Sequence, residues 1–107
     1  MAAGKIVATA KVEFMPCNLT WTPGGPLISA GVKGARGNCP PESSTPCIQA
    51  FGVARIDPGT MVSAPLFDSG ARPIIFGVSV AIEVGSDLYL GAFDGDRVVR
   101  MPTPASK

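Results

Sequence analysis

Phe51-Gly52-Val53-Ala54 is answered by Phe76-Gly77-Val78-Ser79, and Ile56-Asp57-Pro58-Gly59-Thr60 by Ile82-Glu83-Val84-Gly85-Ser86. The second copy has one residue more between these blocks, and the match runs on through Val62 with Leu88 and Phe67-Asp68 with Phe93-Asp94. Self-similarity of this kind means that one supersecondary unit is used twice. The unit reads strand, tight turn, strand, tight turn, so residues 51–70 and 76–96 are expected to be paired β-hairpins. The extra residue shifts register by one and calls for a β-bulge or an altered turn.

The rest of the chain follows the same grammar. Lys5 to Phe14 alternates, with Ile6, Ala8, Ala10, Val12 and Phe14 on one side, and predicts a half-buried antiparallel strand. Pro16 and Pro23-Gly24-Gly25-Pro26 close it and open a turn region that contains Trp21. Leu27–Val32 predicts a short strand, residues 34–47 a loop, Ile48–Ile56 and Met61–Phe67 further strands. Between the last two, Asp57-Pro58-Gly59-Thr60 fits a turn in which Pro sets φ and Gly supplies a positive one. Ile74, Phe76, Val78, Val80, Ile82 and Val84 share one face of an expected strand of eleven residues, about 36 Å long. Leu88–Leu90 leads to a hairpin signal at Asp94-Gly95, Arg97–Met101 closes the run, and 102–107 reads as a loose tail. No segment sustains a helical period, and 13 Gly and 11 Pro break any that starts. The expectation is a single all-β domain over 1–107, a sandwich or barrel of six to eight strands.

Composition excludes several classes of function. A net charge of +1 creates no field that selects nucleic acid. An apolar fraction of 46% with 16% charged residues leaves much neutral surface, as suits a protein that lies against another protein. No run of 18 apolar residues is present, so no membrane helix is expected. Met1-Ala2-Ala3-Gly4-Lys5 leads into alternation and not into a continuous apolar run, so synthesis without a signal peptide, in a cytoplasm, is expected.

The chemistry is sparse. The chain has no histidine, which removes Ser-His-Asp and Cys-His catalysis and most zinc hydrolase sites. Cys17 has no base partner in sequence and reads as a small buried hydrophobe. Cys39 and Cys47 flank a Pro/Ser/Thr-rich loop and are a candidate disulfide, worth about 2.5 kcal/mol if formed, with free thiols the alternative in a reducing compartment. Asp57, Asp68, Asp87, Asp94 and Asp96 sit at turns, where Asp bonds its own backbone, so neither a catalytic pair nor a calcium loop is called for. Gly31, Gly34 and Gly37, with Lys33 and Arg36 between them, lack phosphate-loop spacing and a following helix. Asn18-Leu19-Thr20 matches a glycosylation acceptor, read here as chance. No catalytic, metal or cofactor residue is expected.

Val84-Gly85-Ser86-Asp87-Leu88-Tyr89-Leu90 and Asp94-Gly95-Asp96-Arg97-Val98-Val99, within 76–101, resemble the C-terminal β segments of small head-decoration proteins of tailed phages. Ser86 interrupts the Gly-Asp pair usual there, and the Cys-Pro loop has no counterpart. The resemblance implies a non-enzymatic protein of the virion that binds an assembled capsid, often as a homo-oligomer. Phe51, Phe67, Phe76, Phe93 and Trp21 are then candidate interface anchors, although the same residues can fill a core. The alternative is a small β-sandwich binding module for a carbohydrate or other small molecule, with Trp21 and Tyr89 as a stacking platform and the loop acids beside them.

Overall fold

Branched and aromatic runs bounded by Pro and Gly turns form seven strands in the computed structural model, which describes residues 4–33, 50–70, 77–92 and 97–104. They are β1 (Met15–Trp21), β2 (Leu27–Val32), β3 (Phe51–Ile56), β4 (Ser63–Asp68), β5 (Val78–Val84), β6 (Asp87–Ala92) and β7 (Val99–Pro102). One antiparallel sheet has the order β1-β2-β3-β4 and the other β5-β6-β7. No described residue is helical, and the architecture is a small all-β sandwich.

Residues directly opposite in a ladder point to the same side, so the register sorts the faces. From the first sheet Ile28, Ala30, Phe51, Val53 and Leu66 turn inward, and they meet Val78, Ala81, Leu88 and Leu90 of the second. Each large side chain fully buried here contributes about 1.5–3 kcal/mol. Phe67, Ala92, Val99 and Met101 close the rim. Polar ties cross the same gap along one seam. Asn18 Nδ2 donates to the Ser79 carbonyl (3.1 Å) and Thr20 Oγ1 to the Ala81 carbonyl (2.7 Å), which occupies the outer edge of β5 with side chains of β1. Arg55 pairs with Glu83 at 3.1 Å, again sheet to sheet.

The two copies of the repeat are the hairpins β3–β4 and β5–β6. Ala54 faces Pro65, Arg55 faces Ala64 and Ile56 faces Ser63 in the first; Val80 faces Gly91, Ala81 faces Leu90 and Ile82 faces Tyr89 in the second. Position for position along the repeat, these are the same pairs. Both ladders are then interrupted at the matching place, but on opposite strands. Leu66 is the additional residue in β4, and Ser79 is the additional residue in β5. The one-residue insertion of the second copy is therefore a bulge.

That bulge corrects one expectation. Val78 is inward, but beyond Ser79 the alternation is inverted, so Ala81 and Glu83 face the core while Val80, Ile82 and Val84 turn to the outer face. The apolar stripe of this strand thus does not share one face; Ile74 and Phe76 lie outside the described residues. Four more readings are revised. Lys5–Phe14 forms no strand, because no ladder takes it up, and β1 begins only at Met15. The positive φ of the Asp57–Val62 loop falls on Met61 (60°) and not on Gly59. Cys17 is exposed, since the β1 bulge between Pro16 and Asn18 leaves it without a partner in β2. Finally, Pro102 belongs to β7 and the Thr103 amide donates to the Ser86 carbonyl (2.9 Å), so the chain is tied down through 103; 105–107 lie outside the described residues.

Candidate functional site

The outer face of the four-stranded sheet is the most featured surface of the described molecule. Two glycines, Gly31 of β2 and Gly52 of β3, are cross-strand partners there. Without side chains they leave a slot, and the Phe14 ring fills it: a Cβ at Gly52 would stand 2.7 Å from Phe14 Cδ1 and one at Gly31 3.1 Å from Cδ2. The Ser63 hydroxyl donates to the Lys11 carbonyl. Residues 11–14 are thus pinned at β4 and again over β2 and β3, and they cross the sheet as a strap.

Beside the strap lies a groove of about 400 Å³, lined by Lys11, Phe14, Ala54, Pro65, Phe67 and the pair Lys33–Asp68, among others. The Lys33 ammonium donates to Asp68, and Asp68 also accepts from the Gly70 amide (2.9 Å). The hydrogen bond to Asp68 raises the Lys33 pKa, and the bond from Lys33, with that from Gly70, lowers the Asp68 pKa. The groove therefore ends in a neutralised pair and not in a free cation.

At the far edge of the same face, β1 turns Leu19 and Trp21 outward opposite Ser29 and Leu27, with Trp21 68% exposed. On the other sheet Ile82 and Val84 stand outward at 43% and 56% exposure, next to Tyr89 and Asp87. Arg100 lies opposite Tyr89; a hydrogen bond with the Tyr89 hydroxyl, and the Asp87 carboxylate 3.8 Å away, raise its pKa.

The aromatic candidates are divided by this arrangement. Phe51 is buried in the core and Phe67 lies against it, ring centroids 5.7 Å apart and tilted by 39°. Trp21 is at the surface. Phe76, Phe93, Cys39 and Cys47 lie outside the described residues, as do Gly34, Arg36, Gly37, Asp94 and Asp96. Leu19 is an exposed apolar side chain that reading the sequence did not single out, and Ile82 and Val84, which the sequence groups with Val78 on one face, are exposed as well. For Ile82 and Val84 the signal was present as alternation, but the bulge reversed its sense. For β1 the signal was masked by Pro16 and Asn18, residue types depleted in strands.

Four of the described carboxylates, Asp57, Asp68, Glu83 and Asp87, are taken up in structure. Asp57 Oδ1 accepts from the Gly59 and Thr60 amides at 2.7 and 3.1 Å, Glu83 holds Arg55, and Asp87 faces Arg100. Asn18 of the acceptor-like tripeptide spends its amide on Ser79 of the other sheet. Among the described residues no three His, Cys, Asp or Glu side chains converge as a metal site would require, and no helix is long and apolar enough to cross a membrane. Comparison with known proteins returns no match, whether to a family model, a curated protein or a solved structure.

Proposed function

We propose that this chain is a non-enzymatic assembly protein of a virion, a capsid-decoration type of component that binds its own kind and a larger protein particle through surface contact. The observation that carries the reading is the set of exposed apolar side chains on outward strand faces, Leu19 and Trp21 on β1 and Ile82 and Val84 on β5. The absence of histidine from the chain and the engagement of Asp57, Asp68 and Glu83 in turns and ion pairs support it. So does the resemblance of 76–101 to decoration proteins. Sedimentation of the purified protein, alone and with assembled capsids, tests this. Self-association or co-sedimentation is expected, and a strict monomer that ignores every particle offered would refute it.

One observation favours a second reading. Trp21 presents its ring at the surface of a sheet, which is the geometry of a sugar-stacking platform. Saturable quenching of the single tryptophan by an oligosaccharide, in a protein that remains monomeric, would move the case to a carbohydrate-binding module.

A further inference from the structure

The alternation of Ile6, Ala8, Ala10 and Val12 is written for a strand, yet no ladder among the described residues includes it. Residues 4–9 are exposed, Ile6 to 82% and Val7 to 89%. Here is a strand pattern without a sheet. The converse is found at β1, whose edge away from β2 pairs with nothing described and whose sequence Met15–Trp21 has no charge. Edge strands are normally protected by charge, proline or a cover. The other described edges have such protection: Pro65 and Asp68 on β4, the Asn18 and Thr20 side chains along β5, Arg100 and Pro102 on the short β7. On β1, Pro16 and the bulge at Cys17 guard only the first residues and leave Asn18–Trp21 open.

The arm is kept from its own β1. The strap is pinned to β4 through Ser63 and to β2 and β3 through Phe14, so residues 4–10 leave the sheet on the β4 side. The β1 edge is then three strand spacings away, about 14 Å. We infer that the segment Lys5–Ala10 of one copy adds as a strand to the Asn18–Trp21 edge of a second copy. Its Ile6 and Ala8 lie beside Leu19 and Trp21, which stand free on that edge. Two copies that exchange arms close into a dimer, and copies that pass the arm on head to tail close into a ring or run on as a chain. Because β1 is uncharged, the arm's Lys5 meets no like charge on it. This inference rests on the contact reading above and names the contact.

The test uses two variants of the full chain, Ile6→Asp/Val7→Asp in the arm and Leu19→Lys on the edge, all at exposed positions. Far-UV circular dichroism and melting should match the parent, which sets folding aside. Light scattering across a concentration series should show the parent associating and each variant alone remaining monomeric. Mixing the two variants should restore one arm–edge contact and give a species of two chains, since one retains the arm and the other the edge. Trp21, the single tryptophan, should shift its emission to the blue in the parent assembly and in the mixture. Association that persists in both variants, or a mixture that does not recover it, overturns the arm-to-edge contact while leaving a contact function standing. A parent that is monomeric throughout and binds no particle overturns both.

Discussion

Gly31 and Gly52 are partners in one ladder, yet substitution should cost very different amounts at the two. A Cβ at Gly52 meets the Phe14 ring at 2.7 Å, and a side chain can swing away. At Gly31 it would lie 1.8 Å from the Met15 carbonyl oxygen, and that atom is backbone. Gly52→Ala should therefore fold with a displaced strap and a loss of about 1–3 kcal/mol, whereas Gly31→Ala should fail to fold or lose β1. Denaturant midpoints of the two variants check this, and equal losses would show that the slot does not position the strap. Met61 presents the opposite case, a side chain where none is favoured. Its φ of 60° lies in the left-handed region, held by the hydrogen bond that its amide N–H donates to the Asp57 carbonyl at 2.7 Å. Met61→Gly removes a strain of about 1–2 kcal/mol against a smaller cost from the greater chain entropy of the unfolded state, and should hold or raise the melting temperature. A clear fall would mean that the partly buried Met61 side chain packs for more than its backbone costs.

Among the elements, the hairpins were legible because turn chemistry and apolar spacing recur together, and both signals survive duplication. What the sequence left open was whether the extra residue between Val78 and Ile82 becomes a bulge or alters the turn. Periodicity assigns a face only while the pleat is unbroken, and the bulge at Ser79 turned Val80, Ile82 and Val84 outward and Ala81 inward. Exposed placement of Trp21 was hidden in the same way, because β1 is recruited by pairing with β2 and not by its own propensity. Single-residue deletions in β5 test the register. Removing Ser79 closes the bulge and keeps Val78 inward and Val80 outward, so a folded protein is expected, weaker by about 1–2 kcal/mol for the lost Asn18 bond and altered twist. Removing Ala81 instead inverts the residues beyond it and should abolish cooperative unfolding. If both deletions melt alike, register is not what orders this hairpin. The ends of β2 and β4 offer a pH test, through Lys33 and Asp68. Asp68 is lowered below its ordinary 3.8, so its contribution is present above that pH and is lost as pH falls through the depressed folded value. Lys33 is raised above 10.5, so its contribution is present below that pH and is lost as pH rises through the folded value. Both groups are well solvated and the effect is small. In Asp68→Asn the stability–pH curve should be flatter below pH 3.8 than in the parent; curves of identical slope there would deny the pair any role.

At the scale of the whole molecule, two sheets share one apolar layer and a short line of polar ties, and the ties decide how strictly the sheets are aligned. Arg55 and Glu83 are the charged members of that line, largely withdrawn from water, and Arg55 Nε has no partner of its own. A buried pair repays its desolvation poorly, but losing one partner leaves the other charge stranded. Glu83→Ala should thus lower stability by about 2–4 kcal/mol, more than the deletion of an ordinary hydrogen bond. Arg55→Met/Glu83→Leu should recover most of it, because apolar groups of similar size extend the layer formed by Val53, Ala81 and Leu88. The cycle separates the worth of the pair from the cost of breaking it. Because Arg55 and Glu83 come from different sheets, the loss should be shared by the entire fold: Trp21 fluorescence on β1 and far-UV dichroism should report one coincident transition in the parent and in every variant. If Trp21 responds at lower denaturant than the dichroism in Glu83→Ala, the first sheet loosens by itself and the ion pair aligns only a corner of the sandwich. If the double variant is as weak as the single one, the pair contributes net attraction, and the low polarity of the gap must be strengthening it beyond its desolvation cost.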